Sequence, residues 1–182
     1  MKTPILITSL LLLVAAASCK KESTPASTTE KTIEDYLVKN NEIAGWTAGS
    51  NRWVANNITE LTNRIDGAAE VYRRHGFVEA ASQDYQGTIN SNQATLRLTV
   101  FDQGSGSNTA ALFNDPQIGF SGAITWSNGA GEAAQYLRNG GLSQQMCFYR
   151  TKFFVLLEIN ADTEESLNIL KQFALNVDAK AK

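Results

Sequence analysis

The sequence predicts an α+β domain, a largely antiparallel sheet with packed helices. Three observations predict it. Ala94–Phe101 reads ATLRLTVF, and Leu96, Leu98 and Val100 alternate with Thr95, Arg97 and Thr99, as in a strand with one covered face. Met146–Ile159 reads MCFYRTKFFVLLEI, dense in β-branched and aromatic residues, with Arg150-Thr151-Lys152 dividing it into a hairpin. Thr59–Phe77 and Asp162–Val177 repeat apolar residues at steps of three and four, the period of one helix face.

The chain opens with MKTPILITSLLLLVAAAS: one early lysine, an apolar run, then small residues. Residues 1–18 therefore read as a signal peptide, with an apolar run too short for a permanent membrane span. Ala16-Ala17-Ser18-Cys19 resembles a bacterial lipobox, which implies cleavage before Cys19 and lipidation of its thiol. Acyl chains would then anchor a domain at a membrane surface, outside the cytoplasm. Residues 20–30, KKESTPASTTE, are polar and read as a flexible tether. The tether segment runs from Cys19 to Asn40 and ends in a short helix with Ile33, Tyr36 and Leu37 on one side. Loss of the leader removes one lysine and leaves 164 residues with 15 basic and 18 acidic side chains. Such a length suits one domain, placed over residues 41–177. The mild charge gives no sign of nucleic-acid binding. With Cys19 acylated, Cys147 is the single remaining thiol and no intrachain disulfide forms.

Within the domain, Asn41–Ala55 reads as an extended segment with a turn at Gly49-Ser50-Asn51. Trp46 is expected in the core against the central helix, or stacked on a ligand. The central helix spans Thr59–Phe77, with Leu61, Ile65, Ala68 and Tyr72 on its buried face and Gly76 as a left-handed cap. Asn57 and Glu60 have the spacing of a capping box. Gly67 costs about 1 kcal/mol inside a helix; it serves either close packing with Ala68 and Ala69 or a kink. Phe77–Gln86 and Ala94–Phe101 form a hairpin across a turn at Asn90-Ser91-Asn92. Asp102–Ser107, DQGSGS, lacks both phosphate-loop spacings and reads as a polar turn into a helix over Asn108–Phe113, capped by Ser107 or Asn108. Ile118–Trp126 holds one or two short strands, and Glu132–Leu137 is a helical turn or a strand. Phe153–Ile159 is a central strand. Asp162 caps the terminal helix with Glu165 at the capping-box position, and residues 178–182 read as a frayed tail.

Glu42–Trp46, Leu61, Ile65-Asp66-Gly67-Ala68-Ala69-Glu70, Tyr72, Gly76-Phe77, Tyr85 and Leu98–Gly104 together resemble the DUF6599 family of uncharacterised bacterial proteins. Gln103 departs from that pattern, where methionine is usual. The resemblance implies a cell-envelope domain of unknown activity and supplies no catalytic residues. The order of elements is also similar to the PsbP/Mog1-like α/β/α sandwich.

His75 is the single histidine, and neither HExxH nor paired CxxC spacing occurs. No metal site and no cofactor is expected. Cys147 reads as a buried small hydrophobe. The best polar constellation is Asp66, Glu70 and His75 with Asp102. Asp66 and Glu70 lie four apart on one side of the helix, where they could act as acid and base. A solvated face with a Glu70–Arg74 ion pair is the plainer reading. Three functional classes follow. The first is a binding or accessory lipoprotein that takes an envelope protein or a small ligand. The others are an envelope hydrolase using Asp66 and Glu70, and a structural interaction module.

Overall fold

The computed structural model describes residues 31–182. The expected signal peptide, Cys19 and the expected tether through residue 30 lie outside the described residues. Seven strands form one sheet among the described residues: β1 (Thr47–Ala55), β2 (Glu79–Ile89), β3 (Asn92–Asp102), β4 (Ile124–Thr125), β5 (Ala133–Arg138), β6 (Gln144–Arg150) and β7 (Phe153–Ile159). Their order is β1-β2-β3-β7-β6-β5-β4, and every pairing is antiparallel. The α+β prediction holds at this level, and Phe153–Ile159 is central, with three strands on either side. Two hairpins set the register. Asn90 and Ser91 both take positive φ in the two-residue turn between β2 and β3, and Thr151 does so between β6 and β7.

Strand alternation sorts the two sheet faces. Leu96, Leu98 and Val100 pack with Tyr85, Phe148, Val155 and Leu157 under helix α4 (Glu164–Ala181). Ala80, Phe101, Cys147 and Phe154 point the other way, under three short helices. These are α1 (Ile58–Ile65), α2 (Ala69–Arg74) and α3 (Gly106–Phe113). Tyr72 of α2 stacks on Phe101 with ring centroids 4.1 Å apart, an arrangement worth about 1 kcal/mol beyond its buried area.

The central helix is broken, not continuous. A 3-10 turn over Asp66–Ala68 separates α1 from α2, and Asp66 takes φ 49° and ψ −135°. The Asn57 cap is as expected: its Oδ1 accepts the Glu60 N–H, and Glu60 accepts from the Asn56 N–H. Gly67 lies in the kink, whose strained residue is Asp66, and does not serve close packing. It is exposed, and a Cβ there would meet nothing within 4 Å. Ala68 is exposed as well, and Ala69 alone of the small-residue patch is buried.

Other boundaries differ from the sequence reading. Lys31–Asn40 holds the expected short helix, a 3-10 turn over Ile33–Tyr36, but it is a packed strap and part of the domain: Ile33, Leu37 and Val38 are buried in the α4-side core. Gly49-Ser50-Asn51 is a bulge in β1, marked by a register shift between Ala48 and Arg52, and not a turn. Trp46 is buried, as expected, but against Phe173 of α4 and not against the central helix. Helix α3 is capped by Ser105, two residues early. Ile118–Trp126 yields one two-residue strand, and Glu132–Leu137 resolves as strand β5. Thr163, not Asp162, caps α4, with Ser166 closing the capping box. Asp162 instead accepts from the Gly141 N–H, Gln144 and Arg138.

The expected frayed tail is helical through Ala181. Asp178 is the reason: it is buried and takes two hydrogen bonds from Arg150, at 2.6 and 3.0 Å. Burial works against the Asp178 carboxylate, but Arg150 and Lys182 outweigh it and hold its pKa below the usual carboxylate value.

Two outcomes test this geometry. Gly67→Ala should stabilise the protein by about 0.4–1 kcal/mol in chemical denaturation, because the site has room and an allowed φ; destabilisation would place Gly67 back in a packed contact. Asp178→Asn should cost about 1–3 kcal/mol at neutral pH, from a broken charged hydrogen-bond pair. A carboxylate with a depressed pKa stabilises fully above its unfolded value of about 4 and loses that contribution as pH falls through its folded value. The difference between wild type and variant, read from melts across pH, should therefore shrink on acidification below about pH 4. A difference independent of pH would contradict the pairing.

Candidate functional site on the open half of the sheet

The four predicted site residues do not assemble. Asp66 stands exposed in the 3-10 turn. Glu70 is exposed on α2 and pairs with Arg73 at 2.6 Å, not with Arg74. His75 Nε2 lies 2.8 Å from Asp115 Oδ2, which Arg74 also reaches at 3.1 Å. That contact, together with the Gln117 N–H, holds the Asp115 carboxyl below its usual range. Asp115 thus pins the turn after α3 to the end of α2. Asp102 is buried on the opposite sheet face from Phe101, where α2 packs. It binds Lys152 at 2.6 Å and accepts the Gly104 N–H at 2.7 Å. Glu79 sits across from it in register, and burial followed by the Asp102 charge raises the Glu79 pKa. Among the described residues, no hydrogen bond or ion pair joins any two of Asp66, Glu70, His75 and Asp102.

Cys147 is fully buried on the helix-covered face, with Gln135 Nε2 3.5 Å from its sulfur, and burial pushes its thiol up to about 12. It behaves as the small hydrophobe expected. Gln103 is likewise fully buried, and its side-chain amide has no hydrogen-bond partner among the described residues.

A different set of residues does converge. Helices α1, α2 and α3 cover only the end of their face that carries Ala80, Phe101 and Phe154. Along the strands from there, side chains grade from apolar to polar. Ser82 and Thr99 share a buried hydrogen bond, at 2.9 Å, in the next row. Beyond it a polar row crosses four strands, with Asp84, Arg97, Glu158 and Gln145 opposite one another in register. Asp84 accepts from Arg97 Nε at 2.8 Å and Nη2 at 3.3 Å, and from Asn51 of the β1 bulge at 2.8 Å. Gln145 Nε2 donates to Glu158 Oε1 at 2.9 Å. The Arg97 side chain is 47% exposed, whereas Asp84, which orients it, is 13% exposed. This row borders an open groove of about 260 Å³, which Thr95, Ser143 and Asn160 also line. A groove of this size with a few oriented polar groups is a small-ligand site in form, though more polar than most.

A second groove, about 390 Å³, lies between the strap and the paired strands β1 and β2, bordered by Glu34, Arg52, Gln83 and Tyr85. Its polar groups are mutually committed: Arg52 pairs with Glu34, and the Tyr85 hydroxyl donates to the Val38 carbonyl.

Of the open row, the sequence reading touched Arg97, and only as a solvent-side position of its strand. Asp84, Glu158 and Gln145 were missed. A signal existed, since Arg97 is the one charge in the apolar and hydroxylic run Ala94–Phe101, and Glu158 the one charge in Phe153–Ile159. Among the described residues no cluster of histidine, cysteine, aspartate or glutamate has the form of a metal site, and no helix is long and apolar enough to cross a membrane. Comparison of the chain with protein-family models, with characterised proteins and with solved structures gives no match.

Proposed function

We propose that the chain is a cell-envelope lipoprotein, anchored to a membrane through acyl chains on Cys19, whose folded part is a binding or accessory domain. The leader and the Ala-Ala-Ser-Cys sequence support the anchor, and the polar stretch before Lys31 supports a tether. The observation that carries the binding reading is the open row of Asp84, Arg97, Glu158 and Gln145 beside its groove. Fixed polar side chains on sheet strands give a preorganised surface, which is what a binding site needs. A hydrolase using Asp66 and Glu70 has weaker support, because both carboxylates stand on an exposed turn and Glu70 is engaged by Arg73. The DUF6599 resemblance and the likeness to a PsbP/Mog1-like sandwich belong to the same proposal. The latter is supported by helices on both faces of the antiparallel sheet.

The anchor is tested by the mass of the N-terminal peptide after expression in a bacterial host. The expected result is cleavage before Cys19 with acyl chains on the cysteine, and release of the Cys19→Ser variant from the membrane fraction. An unmodified Cys19 in the mature protein would overturn the anchor.

A further inference from the structure

Arg97 and Glu158 are direct cross-strand partners of opposite charge, in register on β3 and β7. Facing residues of an antiparallel pair have Cα atoms about 5 Å apart, and opposite charges there normally pair. These two do not: no ion pair joins them among the described residues. Each is turned away by a neighbour on its far side. Asp84, itself held by Asn51, takes Nε and Nη2 of Arg97. Gln145 takes Oε1 of Glu158. Arg97 Nη1 and Glu158 Oε2 remain, and neither has a hydrogen-bond partner among the described residues. A donor edge with positive charge and an acceptor edge with negative charge thus stand side by side at the groove. Of the other polar atoms at its rim, the uncommitted Asn160 Nδ2 and Gln145 Oε1 belong to neutral amides, and others are committed. Thr95 Oγ1 donates to Gln86, Asn160 Oδ1 accepts the Thr95 N–H, and Gln144 Nε2 donates to Asp162.

Resting on the binding reading of this groove, we propose that it takes a small zwitterion, a free amino acid or a short peptide with both termini free. The ligand carboxylate accepts from Arg97 Nη1, and its ammonium group donates to Glu158 Oε2. Charge-assisted bonds of this kind are stronger than neutral ones, and the planar guanidinium suits a carboxylate. The groove volume, about 260 Å³, matches a ligand of one or two residues. Because Asp84 and Gln145 already orient the two charges, binding requires little side-chain ordering. A neutral polyol would meet the same two atoms without the charge on either side.

The test titrates the mature chain, solubilised in detergent, with L-alanyl-L-alanine, its N-acetyl form, its C-terminal amide, and glucose. Binding is read by calorimetry and by NMR shifts of Arg97, Glu158 and Gln145. The dipeptide should saturate at concentrations up to about 10 mM, and blocking either terminus should weaken it roughly tenfold or more. Arg97→Gln and Glu158→Gln should weaken it to a similar extent while the NMR spectrum of the folded domain is retained, since Arg97 is 47% exposed and Glu158 half-buried. Equal binding of the blocked peptides, or dipeptide binding that survives both substitutions, would overturn the zwitterion assignment. Glucose shifting the same residues while the dipeptide does not would also overturn it, and would leave the groove as a binding site. Failure of all four probes would overturn the groove reading along with it.

Discussion

Phe173, fully buried on α4, stands edge-on to two rings, Trp46 at 5.7 Å and Tyr85 at 5.0 Å. The three rings come from the start of β1, the middle of β2 and the terminal helix, so one cluster joins segments far apart in sequence. It also fixes the strap, because the Tyr85 hydroxyl donates to the Val38 carbonyl at 2.9 Å. Lys180 adds a bond from α4 to the Leu37 carbonyl, at 2.6 Å. Gly87 belongs to the same arrangement: a Cβ there would lie 2.4 Å from the Trp46 ring, so a side chain would expel the indole from its seat. Close packing of this kind tolerates neither added nor removed volume.

Once α4 and the strap seal one face, the other can be incompletely covered. Three short helices suffice to bury Ala80, Phe101 and Phe154, and they stop before the row of Arg97. The charges in that row keep their solvent access, while their outer partners hold them in place. The larger core and the candidate site therefore sit on opposite faces of the same strands. β3 shows this most directly, since Leu96 and Leu98 are fully buried on one side while Arg97 is exposed on the other.

Much of this fold was legible. The period-2 pattern of residues 94–101 and the dense run of 146–159 gave β3, β6 and β7, because a strand with one apolar face writes its orientation into alternate residues. The stripe of Leu167, Leu170, Phe173, Ala174 and Val177 gave α4. The strap was half legible: Ile33, Tyr36 and Leu37 fit one side of a short helix, but Val38 and Ile43 fall off that period, and their burial requires α4 and β2 to meet them. The break at Asp66 was half legible. Gly67 marked a weak point, but the apolar spacing continued through it, and the break fell at Asp66, one residue earlier. The site was hidden for a different reason. Asp84, Arg97, Glu158 and Gln145 come from four strands, and their adjacency requires β7 to lie beside β3, a long-range pairing that no local pattern encodes. The expected Asp66–Glu70–His75–Asp102 set failed because alternation places Asp102 on the far side of the sheet from α2.

The dependence of the strap and of the sealed face on Phe173 is open to one direct measurement, native-state hydrogen exchange on Phe173→Ala. Removing a buried phenyl ring should cost about 3–5 kcal/mol of global stability. Amides from the end of the strap up to β1, Val38 to Trp46, should lose protection ahead of those in β3 and β7. A stability loss under about 1 kcal/mol, well below the range for a buried aromatic, would contradict the account. So would a strap that keeps its protection while the rest of the domain loosens.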